Sequence, residues 1–182
     1  SLHITDIGYF PRAKYHYRER PEGCNTHIFI FCADGEGWVD LGAGDMLRIS
    51  RRQMVVIPAG LPHRYGASRH DPWTIYWFHL QGKDADELIR LYGLDRGVLE
   101  LSHASYAELV EVFDECCCLL EDNPFSLPVL VHAAQSVRCL LSGIGIAAAV
   151  ARRSEPGDRH LKRAFAYLTE RLDQPLNLEE LA

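Results

Sequence analysis

The run Trp73 to Leu80, WTIYWFHL, gathers aromatic and polar side chains able to grip a small molecule. A strand shows alternate residues to opposite faces. One set there is Trp73, Ile75, Trp77 and His79; the other is Thr74, Tyr76, Phe78 and Leu80. Arg64, Asp34 and Arg20 are the further polar candidates for ligand contacts. An indole or phenol offers an apolar face with a polar edge, and charged groups at a rim fix orientation. The same aromatics also suit a barrel core, and Arg20, Asp34, Arg64 and His79 also suit a solvated surface.

Catalytic constellations are not indicated. The chain has no G-x-S-x-G, no H-E-x-x-H and no phosphate-cradling glycine loop. Its six cysteines are Cys24, Cys32, Cys116, Cys117, Cys118 and Cys139, without a C-x-x-C spacing. They read as reduced, mostly buried thiols of a cytoplasmic protein, not as disulfides or a zinc site. No cofactor is implied.

The elements that must position these residues change character along the chain. From the start to about residue 80, short β-branched and aromatic runs are broken by Gly and Pro turns. Thr26 to Cys32, Trp38 to Leu41, Met46 to Ile49, Met54 to Ile57 and Trp73 to Leu80 are the strands, and Pro58 to Pro62 is a rigid loop. That punctuation predicts a sandwich or small barrel. Beyond about residue 84 the period becomes helical, with Tyr106, Leu109, Val110, Phe113, Cys117 and Leu120 on one face. Ser102 or Ser105 suits its cap, and Asn123-Pro124 ends it. A second helix runs from about Leu127 to Val150.

Ser154 to Gly157 reads as a linker. Asp158 then caps an amphipathic helix carrying Leu161, Ala164, Phe165, Leu168 and Leu172, and Asn177 opens another within whose first turns the chain stops. The division expected is 1–82 barrel, 83–153 helical region and 154–182 linker plus the start of a helical domain. A chain starting at Ser1, with neither Met nor signal-peptide pattern, reads as trimmed, its natural N-terminal arm missing.

Net charge is −6, an ordinary solubility charge without a global footprint for phosphate backbones. The apolar stretch Ile144 to Val150 is too short to span a membrane, and none is expected.

Two stretches carry a family resemblance. Arg52 to Gly82, with PAGLP, His63-Arg64-Tyr65-Gly66 and DPWTIYWFHLQG, closely resembles the cupin-like ligand domain of AraC/XylS-family transcription regulators. Leu161 to Ala182, ending PLNLEELA, resembles the opening of that family's helix-turn-helix domain. Together with the helices between them they cover nearly the whole chain.

The resemblance implies a mainly β fold: a cupin-like, jelly-roll barrel, then amphipathic dimerisation helices, then a truncated helix-turn-helix domain. It implies a small-molecule effector, a sugar or related polyhydroxy compound, and a homodimer. Operator DNA and RNA polymerase would be met only through the full-length protein. It turns the Trp77 set inward and matches Tyr65 to a ligand-contacting position. Ile75 stands where the family's sugar-binding member has a polar contact, and Asp34 where it has a cationic one, so a different effector is expected. Leu130, Val137, Leu141 and Ile144 are the expected dimerisation residues, because the second helix is apolar around much of its girth.

In metal-binding cupins the proline loop supplies a histidine ligand. Here His63 follows that loop, and His27 with Asp34 could complete two histidines and a carboxylate around iron. The motif is half eroded. Phe29 replaces a histidine, Arg52 a glycine and Ala67 an asparagine, so no metal is expected. The rival function is a metal-dependent cupin enzyme, and a third reading is a barrel kept for dimerisation alone.

Overall fold

The protein is seen in a computed structural model that describes residues 2–42 and 46–153. Its strands are β1 His3–Phe10, β2 Tyr17–Arg20, β3 His27–Asp34, β4 Glu36–Asp40, β5 Met46–Ser50, β6 Gln53–Ile57, β7 His63–Ala67 and β8 Thr74–Gln81. Then come α1 Ala85–Tyr92, the short β9 Leu99–Glu100, α2 His103–Asp122 and α3 Leu127–Arg153. One sheet has the order β1-β8-β3-β6-β9 and the other β2-β7-β4-β5, all named pairings being antiparallel. This is the expected cupin-like β architecture with helical appendages.

Alternation along the strands divides the interior into two cores. Ile28, Ile30, Cys32, Val55, Ile57 and Ile75 face Val39, Ile49 and Tyr65 of the second sheet. Phe29, Phe31, Met54, Val56, Phe78 and Leu80 point the other way, into a core shared with Leu88, Leu109, Cys116, Val137 and Leu141 of the helices. Strand β3 is therefore buried on both faces, which is why its sequence is an unbroken apolar run and not an alternating one. The set containing Trp73, Ile75 and Trp77 lies on the inter-sheet side.

Local chemistry sets the element ends. Ser102 caps α2, its hydroxyl accepting from the Ser105 backbone N–H at 3.0 Å. Gly93 ends α1 in the left-handed conformation. Arg52, at the β5–β6 turn, takes a φ of 63°, backbone that a glycine adopts at no steric cost.

Several elements and assignments depart from the sequence reading. β1, β2, α1 and β9 carried no distinct signal. Residues 1–147 group as one compact unit, and β9, which follows α1, joins the five-stranded sheet. Three of the four expected dimerisation residues are core: Val137, Leu141 and Ile144 are at most 2% exposed, while Leu130 is 38% exposed. They pack beside the sheet-facing core and are inaccessible to a partner. α3 is also long and apolar enough, by length and composition, to cross a membrane. Its buried stripe is accounted for by that same core. The linker and third-helix readings over 154–182 lie outside the described residues.

Candidate ligand-binding site

A cavity of about 220 Å³ lies between the sheets, lined by inward residues of β1, β2, β3, β7 and β8. Register explains who lines it. Trp77 on β8 stands between Ile30 of β3 and Gly8 of β1, and His79 between Ile28 and Asp6. Across the gap, Arg18 pairs with Tyr65 and Arg20 with His63. Larger hollows occur between α1 and α3 and on the outer face of the four-stranded sheet. The inter-sheet cavity is smaller, but aromatic rings and charged groups from five strands converge on it, the usual mark of a ligand site.

The aromatic wall is continuous. Phe10 lies 5.4 Å from the Trp77 ring and 5.1 Å from His16, and His16 lies 5.5 Å from Tyr65. His16 is held from behind by Trp73, whose indole N–H donates to its Nδ1 at 3.3 Å. Trp73 is fully buried because Gly37 lacks a side chain there; a Cβ at that position would run into its ring. Gly8 likewise leaves room for the partly buried Trp77, where an added Cβ would come within 2.5 Å of Cζ2. The Trp77 indole N–H is buried and has no hydrogen-bond partner.

Electrostatics divide the rim from the wall. Burial, with the Arg18 charge adding, pulls His16 down to about 4, so its ring is neutral at pH 7. Burial also lowers His79, against the pull of Asp6, whose carboxylate is 3.5 Å from its Nδ1. That same Nδ1 lies 3.3 Å from the Thr26 hydroxyl. Tyr65 is raised, burial outweighing the arginines beside it.

Five of the sequence candidates meet at this cavity: Trp77, Tyr65, Ile75, Arg20 and His79. Two do not. A bulge after Cys32 shifts the register so that Asp34 opposes Thr74, of the other face, and it ends β3 exposed. Arg64 lies between inward His63 and Tyr65, so alternation points it outward, where it binds Asp40 at 2.9 Å. Asp6, Phe10, His16, Arg18, Ile28 and Ile30 were missed. Arg18 and Arg20 do carry a period-two signal, but Tyr-Arg-Glu-Arg reads as a solvated stretch.

Of the three residues considered for a metal, the two histidines are bonded elsewhere, His63 through Nδ1 alone with its Nε2 buried and unpartnered. His27 accepts from the Ala59 backbone N–H at 3.2 Å and reaches Asp86 at 3.2 Å. His63 bonds the Leu61 carbonyl through Nδ1 at 2.7 Å. Both histidines therefore brace the proline loop. Asp34 is at the opposite end of β3 from His27, and no cluster of three or more metal-ligating side chains occurs among the described residues. The triple cysteine divides too: Cys116 is buried, Cys117 half-buried and Cys118 exposed. Burial pushes Cys116 and Cys117 up to about 11 and Cys32 to about 12, far from nucleophilic thiolates.

A family model described as the AraC-like ligand binding domain matches residues 6–179. The chain belongs to that family. It is 28% identical over 195 residues to the MmsAB operon regulatory protein of Pseudomonas aeruginosa, spanning all of this chain and 58% of that protein. Among solved structures it is similar to ToxT from Vibrio cholerae, at 8% identity and a TM-score of 0.49, covering 100% of this chain and 69% of the other. The AraC-like transcriptional activator CuxR gives 14% identity and a TM-score of 0.44, over 91% and 60%. Likenesses so loose carry no argument about this chain.

Proposed function

We propose that this AraC-like ligand binding domain is the effector-sensing and dimerisation part of a transcription regulator. A small polyhydroxy compound, of the sugar class, occupies the inter-sheet cavity. DNA and RNA polymerase are engaged by the full-length protein, through a helix-turn-helix domain that begins within 154–182. The chain itself is a cytoplasmic sensor and catalyses nothing. In this reading 1–82 form the sensing barrel and 83–153 the helical region that joins two copies.

The observation carrying the reading is the cavity itself. Phe10, His16 and Tyr65 offer ring faces and Trp77 an indole, while charged groups stand at the rim. Rings pack well against the C–H face of a sugar, and the rim groups can pair its hydroxyls. At about 220 Å³ it is below the ~300–1,000 Å³ usual for drug-sized ligands, which suits a compound of a few carbons. Effector binding would favour one arrangement of barrel and helices over another, and so alter how DNA-binding domains are presented.

For the dimer, the apolar residues left outside on α3 supply the surface. Leu127, Leu130, Val131 and Ile146 are 38–70% exposed. An apolar helix face left exposed among the described residues suits a two-fold helical interface. A thermal-shift screen of sugars, sugar acids and polyols tests the sensor reading. A compound should raise the melting temperature of the natural chain and fail to do so with Trp77→Ala. If only iron or zinc stabilises the chain, the reading is wrong and the metal-enzyme alternative takes its place.

A further inference from the structure

The sensor reading leaves the charge of the effector open, and the arginines of β2 address it. Four arginines of the barrel and helices meet a carboxylate. Arg48 lies 2.9 Å from Glu36, Arg64 2.9 Å from Asp40, Arg52 3.8 Å from Glu100 and Arg138 3.8 Å from Asp84. Arg18 and Arg20 differ. Arg18 donates to the Tyr17 carbonyl at 3.3 Å and Arg20 approaches the Cys24 sulfur at 3.9 Å. Neither has a carboxylate within salt-bridge reach among the described residues.

Both face the inter-sheet cavity, two residues apart on one strand. A chain with 25 acidic and 19 basic residues could readily have supplied an ion-pair partner, yet these two cations line a concavity with neither of them paired to a carboxylate among the described residues. Arg20 is half-buried, where an unpaired charge is costly. The other ionic group lining the cavity is Asp6, across on β1 beside His79. With the histidines neutral, two positive charges less one negative leave a balance of +1.

We infer that the molecule accepted by this cavity carries one carboxylate, held by Arg18 and Arg20, with its carbon skeleton against Trp77 and Phe10. The inference rests on the cavity being the effector site and deepens that reading. A guanidinium presents a planar fork that matches a carboxylate with paired hydrogen bonds, so two forks on one face favour an acid over a neutral sugar. The effector class is then a short hydroxy acid or sugar acid. Neutralising the +1 balance calls for a monoanion, so a phosphate ester should bind less well.

Calorimetric titration of the 182-residue chain with matched pairs tests this: gluconate against glucose, glycerate against glycerol, lactate against propane-1,2-diol, and glycerol 3-phosphate as the dianion. At least one acid should bind at least about tenfold more tightly than its neutral partner, the order expected for a charged hydrogen-bond pair. Arg20→Gln and Arg18→Gln should each lose at least about tenfold for the acid. Arg20→Lys should retain part of it. Circular dichroism melts of each variant confirm folding. Equal binding of the neutral partner, tighter binding of the phosphate ester, or unchanged acid affinity in both glutamine variants overturns the inference. Neutral polyols that bind and are lost in Trp77→Ala would leave the cavity reading standing while the acid inference fails. If nothing in the panel binds, both fail.

Discussion

Gly8→Ala is the sharpest perturbation of the cavity wall. The added Cβ would lie 2.5 Å from Trp77 Cζ2 and 2.7 Å from Cε2, where ordinary contact begins near 3.4 Å. The indole must therefore move by about 0.9 Å (3.4 − 2.5). The β1 backbone lies on one side of the ring and the cavity on the other, so the free direction is into the cavity. Overpacking of this size costs about 1–3 kcal/mol, the low end applying if the ring swings into open space. For a chain of this length that is roughly 2–4 °C in melting temperature per kcal/mol. The same movement shrinks a cavity of about 220 Å³, so ligand affinity should fall by more than stability does. Urea unfolding gives the first quantity, and titration with the best-binding compound of the panel gives the second. A variant that loses stability but keeps full affinity would refute the placement of Trp77 as the wall.

Other perturbations separate core from surface and charge from packing. Leu141→Ala, at a fully buried site, should cost about 2–5 kcal/mol in urea unfolding, whereas Leu130→Ala should cost under about 1 kcal/mol yet weaken self-association in sedimentation equilibrium. Ser102→Ala removes the α2 cap and should cost about 0.5–2 kcal/mol, and Ser102→Asp should restore most of it. Lowered histidine values mean that the unfolded chain takes up protons before the folded one does. Stability contributed by neutral His16 is thus full above pH 6.5 and lost as pH falls toward about 4. His27, His63 and His79 are shifted in the same direction and steepen the fall. His16→Asn keeps an acceptor for Trp73 and should flatten the melting profile between those pH values; an unchanged slope would show that His16 is not involved.

Much of this arrangement was legible because strands obey alternation. Once Trp77 is turned inward, Ile75 and His79 follow, and Tyr65 puts Arg64 outside. Two features defeated that logic. Asp34 lies beyond a bulge, where one extra residue reverses facing, and bulges leave little trace in composition. β2 is short and charged, so its period-two arginines look like any solvated loop until the opposite sheet is in place. The helices showed the converse difficulty. Val137, Leu141 and Ile144 were assigned to a partner because α3 is apolar on several sides, but a helix cannot reveal from its own sequence which stripe its own chain will cover. Arg52, standing where the metal motif would place a glycine, adopts the left-handed backbone that a glycine there would take freely.

The central claim is that a small molecule sits between the sheets. A crystal structure of the chain with the compound that most raises its melting temperature tests this directly. Density is expected in the inter-sheet cavity, against Trp77 and within hydrogen-bond reach of Arg18 or Arg20. Density confined to the hollow between α1 and α3, with the inter-sheet cavity closed by its own side chains, would contradict it.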